Sequence, residues 1–386
     1  MKILIISCFL LVAGNAVVAN DTVAPSMYLI TCGTSNRLSA SFGHTALRYC
    51  NPHEGVDLVF NFGTFNPGEP NFYLKFFRGK ANYYLSETTY LNFVQKYQSE
   101  NRTIWLQQIR IPDTIVCKIH DSLQHLILTE NRFYHYNFFN NNCTTRVRDL
   151  LFSQIQNISV LDSVQKPSGK TWRQTLKPCL EGRPWFSVIV NLLAGPFTDK
   201  EITRFESMYL PQVFMNELQF LEITGAPEVV FLSATNPATV VSFITPMVVC
   251  WILLVLFVAE VFWINTPLKF SNRIDQMIFG ISAAIGLVYL SLWLWSGHIS
   301  LKFNLNMLWA NPFNLLVVWS ICARQNKLTR VYLVIFLLLL FFLLINFTRM
   351  PQKFPFETMP ILSLLAFRSA NQVFQFKTEK NVNNFQ

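Results

Sequence analysis

Ser41-Phe42-Gly43-His44 and, later in the chain, Asn140-Asn141-Asn142-Cys143-Thr144-Thr145 are the stretches on which this sequence turns. A thiol is a good nucleophile as the thiolate, and its pKa falls at a helix N-terminus and beside an imidazolium. Cys143 follows three asparagines that close a loop. Asn142 or Asn141 can cap a helix predicted to begin near Cys143 and to continue through Val147, Leu150 and Leu151. The amides of Cys143 and the residues just after it, Thr144 first, would then face an oxyanion formed there, and Asn141 or Asn142 could add a side-chain donor. His44 lies far upstream, so it can meet Cys143 only through the fold. Its other ring nitrogen needs an orienting partner. Asn61, in Val59-Phe60-Asn61-Phe62-Gly63, can serve if residues 46–49 and 58–62 are neighbouring strands; Asp57 is the second candidate. Each residue also has a plainer role. A cysteine in an exported domain is commonly half of a disulfide, and a histidine after glycine commonly a turn or core residue.

Export is expected from the rest of the chain. Of its 386 residues 51% are hydrophobic and 14% charged, and mean hydropathy is +0.30, which is too apolar for an ordinary soluble domain. The apolar residues fall in blocks at 1–19 and across 240–370. Residues 1–19 carry Lys2, an apolar run from Ile3 to Val12, and Val17-Val18-Ala19 before Asn20-Asp21, the pattern of a cleavable signal peptide. Cys8 sits too early in that run to be a lipoprotein lipobox. Beyond it the exported part holds Cys32, Cys50, Cys117, Cys143 and Cys179, an odd set that leaves at least one thiol free or paired with another chain. Cys143 is taken as the free one. No CxxC spacing or histidine pair suggests a metal, and no cofactor is implied. The net charge of +9 has no basic run with interleaved aromatics, so nucleic acid is not an expected partner.

Residues 20–220 read as an α+β exported domain. Strands are expected at 27–30, 46–49, 58–62 and 103–111, a helix at 114–130, and further short helices over 170–220, with Thr198-Asp199 as a start signal and Pro211 as a break. Residues 221–239 read as a linker, 240–372 as a membrane domain of four or five helices, and 373–386 as a polar tail. The spans are expected near 241–264, 277–296, 307–322, 331–347 and 356–370; the third is interrupted by Asn311-Pro312. With the exported domain outside, Lys269, Arg273, Arg324, Lys327 and Arg330 fall inside, as the positive-inside rule requires, although Lys302, Arg349 and Lys353 run against it.

A histidine first, then a cysteine opening a helix after asparagine, resembles the circularly permuted papain-like (NlpC/P60-type) thiol enzymes. More closely, the chain resembles the bacterial Lnb-type lipoprotein N-acyltransferases. The stretches that carry this are Ser41 to Arg48, Asp57 to Phe65, Pro70-Asn71-Phe72-Tyr73, Phe76-Phe77-Arg78-Gly79, Asn82-Tyr83-Tyr84, Arg132 to Phe138 and Asn141 to Arg146. Gly195-Pro196-Phe197-Thr198-Asp199, Leu210-Pro211 and Leu305-Asn306-Met307-Leu308-Trp309 extend the similarity. The resemblance implies a permuted papain-like domain followed by a transmembrane helical bundle in the inner membrane. It implies transfer of a fatty acyl group from a phospholipid, through a Cys143 thioester, to the α-amino group of a diacylated lipoprotein. His44 and Asn61 would complete the catalytic set. Arg48, Arg78 and Arg146 are candidates to hold a lipid phosphate, Tyr136 to bind substrate, Phe62, Phe65, Phe72, Tyr73, Phe76, Phe77, Tyr83 and Tyr84 to form a lipid-facing rim, and Asn304 and Asn306 to line a substrate route. A membrane-anchored cysteine hydrolase acting on cell-wall peptides or envelope proteins is the competing function, and a structural scaffold with Cys143 in a disulfide the third.

Overall fold

The computed structural model describes residues 24–35, 37, 40–234, 244–263, 268–323 and 327–383. The expected signal peptide at 1–19, Arg324 and parts of the expected linker and tail lie outside the described residues.

The first half is built on a seven-stranded antiparallel sheet. In chain order its elements are β1 (Ser26–Cys32), β2 (His44–Asn51), β3 (Val56–Phe65), α1 (Phe72–Phe77), β4 (Asn82–Thr89), α2 (Tyr90–Ser99), β5 (Ile104–Gln108), α3 (Asp113–Ile127), β6 (Phe133–His135) and α4 (Cys143–Phe152). The strand order is β6-β4-β3-β2-β1-β5-β9, where β9 (Glu228–Phe231) returns from late in the chain. Successive side chains of a strand face opposite ways, so the sheet has two apolar faces. Leu29, Leu47, Phe60 and Phe62 point to one, under Val116, Ile119 and Leu123 of α3 and Val147 and Leu151 of α4. Ile30, Ala46 and Val59 point to the other, under Phe93, Val94 and Tyr97 of α2. Each such fully buried side chain stabilises the fold by about 1.5–3 kcal/mol.

After α4 come α5 (Ile158–Val164), β7 (Pro167–Thr171), α6 (Trp172–Leu180), α7 (Pro184–Leu193), β8 (Glu201–Thr203), α8 (Arg204–Ser207) and α9 (Pro211–Phe220). Pro211 both ends one helical stretch and opens the next, where its missing N–H costs nothing. Trp172, Leu176, Leu180, Tyr209 and Leu210 form a second core with Phe139. The stretch read as a linker is partly structural, since β9 pairs with β5 at the sheet edge.

Five helices follow: α10 (Pro246–Trp263), α11 (Leu268–Trp295), α12 (Leu315–Ala323), α13 (Lys327–Ile345) and α14 (Thr358–Asn383). By length and composition α11 and α13 can each cross a bilayer. The expected span at 307–322 is instead two 3-10 turns, Leu305–Leu308 and Pro312–Asn314, followed by α12 of 9 residues. Pro312 lacks the N–H a continuous helix needs, and Asn311 caps the turn it opens through Phe313 N–H at 2.9 Å. Asn314 then binds Ser282 of α11 and accepts from Tyr332 of α13 at 2.6 Å, which satisfies the irregular backbone's surroundings inside the bundle. α14 runs well past the expected boundary at 372. Its charged Arg368 is fully buried and bonds Asp275 of α11, Glu260 of α10 at 2.6 Å and Ser271 at 3.1 and 3.2 Å.

The sheet domain is bonded to the bundle at several places, two of them at and just beyond the end of α11. At the first, the carbonyl of Leu192, at the end of α7, accepts from Asn304 at 2.7 Å, Asn306 at 3.0 Å and Tyr289 at 3.2 Å, and the Gly195 N–H donates to Ser300 at 2.7 Å. The second joins the end of α1 to Ser296, Gly297 and His298, just beyond α11.

Candidate active site

The β2–β3 ladder runs from Asn51–Val56 to Leu47–Phe60 and stops there, while the β3–β4 pairing shifts register between Asn61 and Thr64. The end of β2 at His44 and the bulged part of β3 therefore splay, leaving room for side chains between them. Asn61 fills part of that room. Its Oδ1 accepts from the Gly63 N–H at 2.8 Å and lies 2.9 Å from His44 Nε2. A carboxamide oxygen can only accept, so Nε2 carries the proton and Nδ1 is the free base. Gly63 makes this possible. A Cβ there would fall 2.4 Å from His44 Cε1 and 3.1 Å from Nδ1. The imidazole also lies nearly parallel to the Tyr97 ring, with centroids 5.8 Å apart. Asp57 is elsewhere: it holds Arg48 through two bonds of 2.7 and 2.8 Å.

Cys143 is the first residue of α4, and Asn142 is its cap. Asn142 Oδ1 accepts from the N–H groups of Thr144 and Thr145, both at 2.8 Å, while the Asn142 N–H donates to Thr145 Oγ1. Asn142 Nδ2 donates to Phe138 O at 2.7 Å and Tyr209 O at 3.0 Å. The side chain is thus fully committed and is not a spare oxyanion donor. Its cap also engages the Thr144 amide that sequence reasoning assigned to an oxyanion. Among the described residues the Cys143 N–H has no hydrogen-bond partner, which leaves it as the available donor at this helix end. Thr144 takes a different part. Its hydroxyl lies 3.9 Å from Cys143 Sγ and 3.0 Å from the Thr45 hydroxyl, so it ties the helix start to the strand beside His44.

The charge state differs from the expected thiolate. Burial pushes the Cys143 thiol up, and hydrogen bonds from Thr45 and Thr144 pull it back only in part. Burial, then the charge of Arg102, brings His44 down to about 3. The resting pair is a neutral thiol and a neutral imidazole. An ion pair here would need two charges in a dry pocket, and the helix end that would stabilise the thiolate has given two amides to its own cap. Arg102 was not singled out from sequence. It is buried behind the site, with Nε on Gly33 O at 2.8 Å and its guanidinium 4.7 Å from the Tyr97 ring centre. Cys32, opposite His44 in the β1–β2 register, is pushed up to about 12 by burial. Cys32, Cys50, Cys117, Cys143 and Cys179 are all free thiols.

The remaining candidates divide. Tyr136 belongs to the site: it stacks on Tyr83 at 4.4 Å and on Phe76 at 5.7 Å, and burial followed by the neighbouring Cys143 raises the pKa of both tyrosines. Asn141 and Arg146 line a cavity of about 600 Å³ with Phe62, Leu123, Leu126 and Leu150. Asn141 donates there to His135 O, and the Arg146 guanidinium lies 4.5 Å from the Tyr134 ring centre with its Nε unbonded. Arg48 is committed to Asp57 and sits 3.6 Å from the Tyr90 ring centre. Asn306 is fully buried, bonded to Leu192, Asn304 and Trp309, so it fastens α7 to the bundle and presents no free group to a substrate. Among the described residues no group of three or more His, Cys, Asp or Glu could hold a metal ion.

Two family models match. That of the Lnb N-terminal periplasmic domain covers residues 17–178, and that of the Lnb transmembrane domain covers residues 238–380. No curated protein and no solved structure matches the chain. His44, Asn61 and Cys143 fall within the first match, and all five helices of the bundle within or across the second. The chain belongs to the Lnb family, as a membrane protein with a periplasmic N-terminal domain followed by a transmembrane domain.

Proposed function

We propose that this protein is a multi-pass inner-membrane lipoprotein N-acyltransferase with Cys143 as nucleophile and His44 as general base. The observation that carries the reading is the His44–Asn61 bond, which leaves Nδ1 unprotonated, on the strand end whose next residue, Thr45, is tied to the start of α4 through the Thr144 hydroxyl beside the Cys143 sulfur. Family membership supports the reaction class. Because the resting pair is neutral, the proton moves as the bond forms. Nδ1 takes the Sγ proton while sulfur attacks the ester carbonyl of a phospholipid acyl chain. The carbonyl oxygen becomes an oxyanion facing the free Cys143 N–H. Collapse breaks the C–O bond, and the imidazolium returns the proton to the departing lyso-lipid alcohol. A thioester remains. The α-amino group of a diacylglyceryl-cysteine lipoprotein then attacks the thioester, giving its proton to Nδ1. The C–S bond breaks, the thiolate recovers that proton, and the product is the N-acylated lipoprotein. The aromatic surroundings would keep water from the thioester between the two steps.

The test is the intact mass of the purified protein after incubation with phospholipid, compared with Cys143→Ser. The expected result is a gain of one fatty acyl group, removed by hydroxylamine and absent in the variant. A reactive Cys143 that gains no acyl group would refute the reading and favour a peptide hydrolase.

A further inference from the structure

α1 has two unlike faces. Inward, Phe72 stacks on Phe65 at 5.1 Å and Phe76 on Tyr136 at 5.7 Å, which joins the helix to the aromatic wall beside Cys143. Outward, Tyr73, Leu74 and Phe77 are 71%, 51% and 43% exposed. Six residues are too few to hold a helix in water on propensity alone, and three large apolar side chains on one turn are a poor water-facing surface.

What holds α1 comes from the membrane domain. A helix end leaves carbonyls short of partners, and here three consecutive ones accept from the loop that follows α11, Phe76 O in addition to its bond from the Gly79 N–H at 2.9 Å. His298 Nε2 donates to Phe76 O at 2.7 Å, Ser296 Oγ to Phe77 O at 2.7 Å, and the Gly297 N–H to Arg78 O at 3.0 Å. The approach is backbone to backbone. A Cβ on Gly297 would fall 2.5 Å from Arg78 O, and one on Gly79 3.1 Å from Gly297 Cα. This clasp sets α1 at the outer end of a membrane-spanning helix. Trp293, Trp295, Ile299 and Phe303 flank it and are also exposed. Aromatic side chains at a span's end mark the level of the lipid headgroups. α7 repeats the pattern on another side: Trp185 and Ile189 are exposed, and Trp185 Nε1 donates to Ile244 O at 3.0 Å, just before α10.

We infer that α1 is seated in the outer leaflet of the bilayer by the Ser296-Gly297-His298 clasp, and that a glycerophospholipid of that leaflet reaches Cys143 along the aromatic inner face of α1. Tyr73, Leu74 and Phe77 are then lipid-contacting residues, and His298 is a positioning residue. The seating stands by itself; the delivery to Cys143 rests on the function proposed above.

The experiment uses the full chain in vesicles of phosphatidylethanolamine and phosphatidylglycerol, doped with a phospholipid carrying a diazirine on an acyl chain. Irradiation and peptide mapping are expected to place adducts on Tyr73, Leu74 or Phe77. Adducts confined to the spanning helices would overturn the seating, whether or not Cys143 is ever acylated. Delivery is read with Leu74→Glu by comparing acylation of Cys143 from vesicle phospholipid and from a water-soluble butyrate ester. The ratio of the two rates is expected to fall at least tenfold. An unchanged ratio would overturn the delivery route. Failure of both donors with the native chain would instead overturn the thioester reading and leave the adduct map to decide the seating.

Discussion

Gly63→Ala isolates the geometry of the base from everything else in the site. The added Cβ would lie 2.4 Å from His44 Cε1, where ordinary contact begins at 3.4 Å, so the ring must retreat by about 1 Å. The backbone at Gly63 is not in the left-handed region, so alanine brings no backbone strain of its own and the effect is steric. His44 is hemmed in by Tyr97 on one side and held to Asn61 at 2.9 Å on the other, so retreat stretches or breaks that bond and displaces the imidazole. Misplacing a catalytic group by about 1 Å costs on the order of 10²-fold in rate, about 2.7 kcal/mol of barrier. Overpacking costs about 1–3 kcal/mol of stability, which a folded domain survives. The assay is the initial rate of acyl-Cys143 formation by intact mass in phospholipid vesicles, with thermal unfolding followed in parallel. A roughly hundredfold slower acylation in a folded protein is expected. A rate within threefold of the native chain would refute both the close approach and the role of His44.

Three further outcomes follow from the same site and from the bundle. Alkylation of Cys143 by iodoacetamide should be slow at neutral pH and should rise only above the ordinary thiol range, because burial raises this thiol; fast alkylation at pH 6, the mark of a preformed thiolate–imidazolium pair, would contradict the neutral resting state. His44 is held down to about 3 in the folded protein against 6.5 unfolded, so the unfolded chain binds the proton first. The stability this represents is fully present above pH 6.5 and is lost as pH falls toward 3, by about 2 kcal/mol between pH 7 and 5; chemical denaturation of the native chain and of His44→Gln should show that slope in the first and a flatter one in the second. Arg368→Met should destabilise the bundle by about 3–5 kcal/mol, since it removes the buried cation that both Glu260 and Asp275 bond; heat-induced aggregation in detergent at the native temperature would contradict that account.

The two halves of the candidate site were legible in the sequence because each is local. Two short strands around a tight turn placed Asn61 near His44, and three asparagines before a helical apolar spacing announced the start of α4. The strands left unread lie toward the sheet margins: β4 alternates buried Tyr83 and Leu85 with polar residues, β6 has 3 residues, and β9 hides in an apparent linker. Whether the thiol is charged was not legible, because that depends on how dry the pocket is and on which amides the cap has engaged. Arg48 and Asn306 misled for a common reason. A polar side chain reads as available until its partner is seen, and those partners, Asp57 and Leu192, are contacts of the fold. α14 read as marginal because Arg368 lowers its apolarity, and nothing near Arg368 in sequence says that carboxylates on α10 and α11 neutralise it.

That buried guanidinium also bears on how the bundle is made. Entering a bilayer as a separate helix, α14 would carry Arg368 without Asp275 of α11 and Glu260 of α10, the carboxylates it bonds in the bundle. Together the three helices pair those groups, with Gln372 of α14 adding a bond to Asp275 at 2.5 Å. During synthesis α10 and α11 emerge first, so their carboxylates wait on a helix that comes last. Assembly of the bundle is therefore cooperative, since the helix that carries Arg368 follows in the chain the two helices that carry its partners.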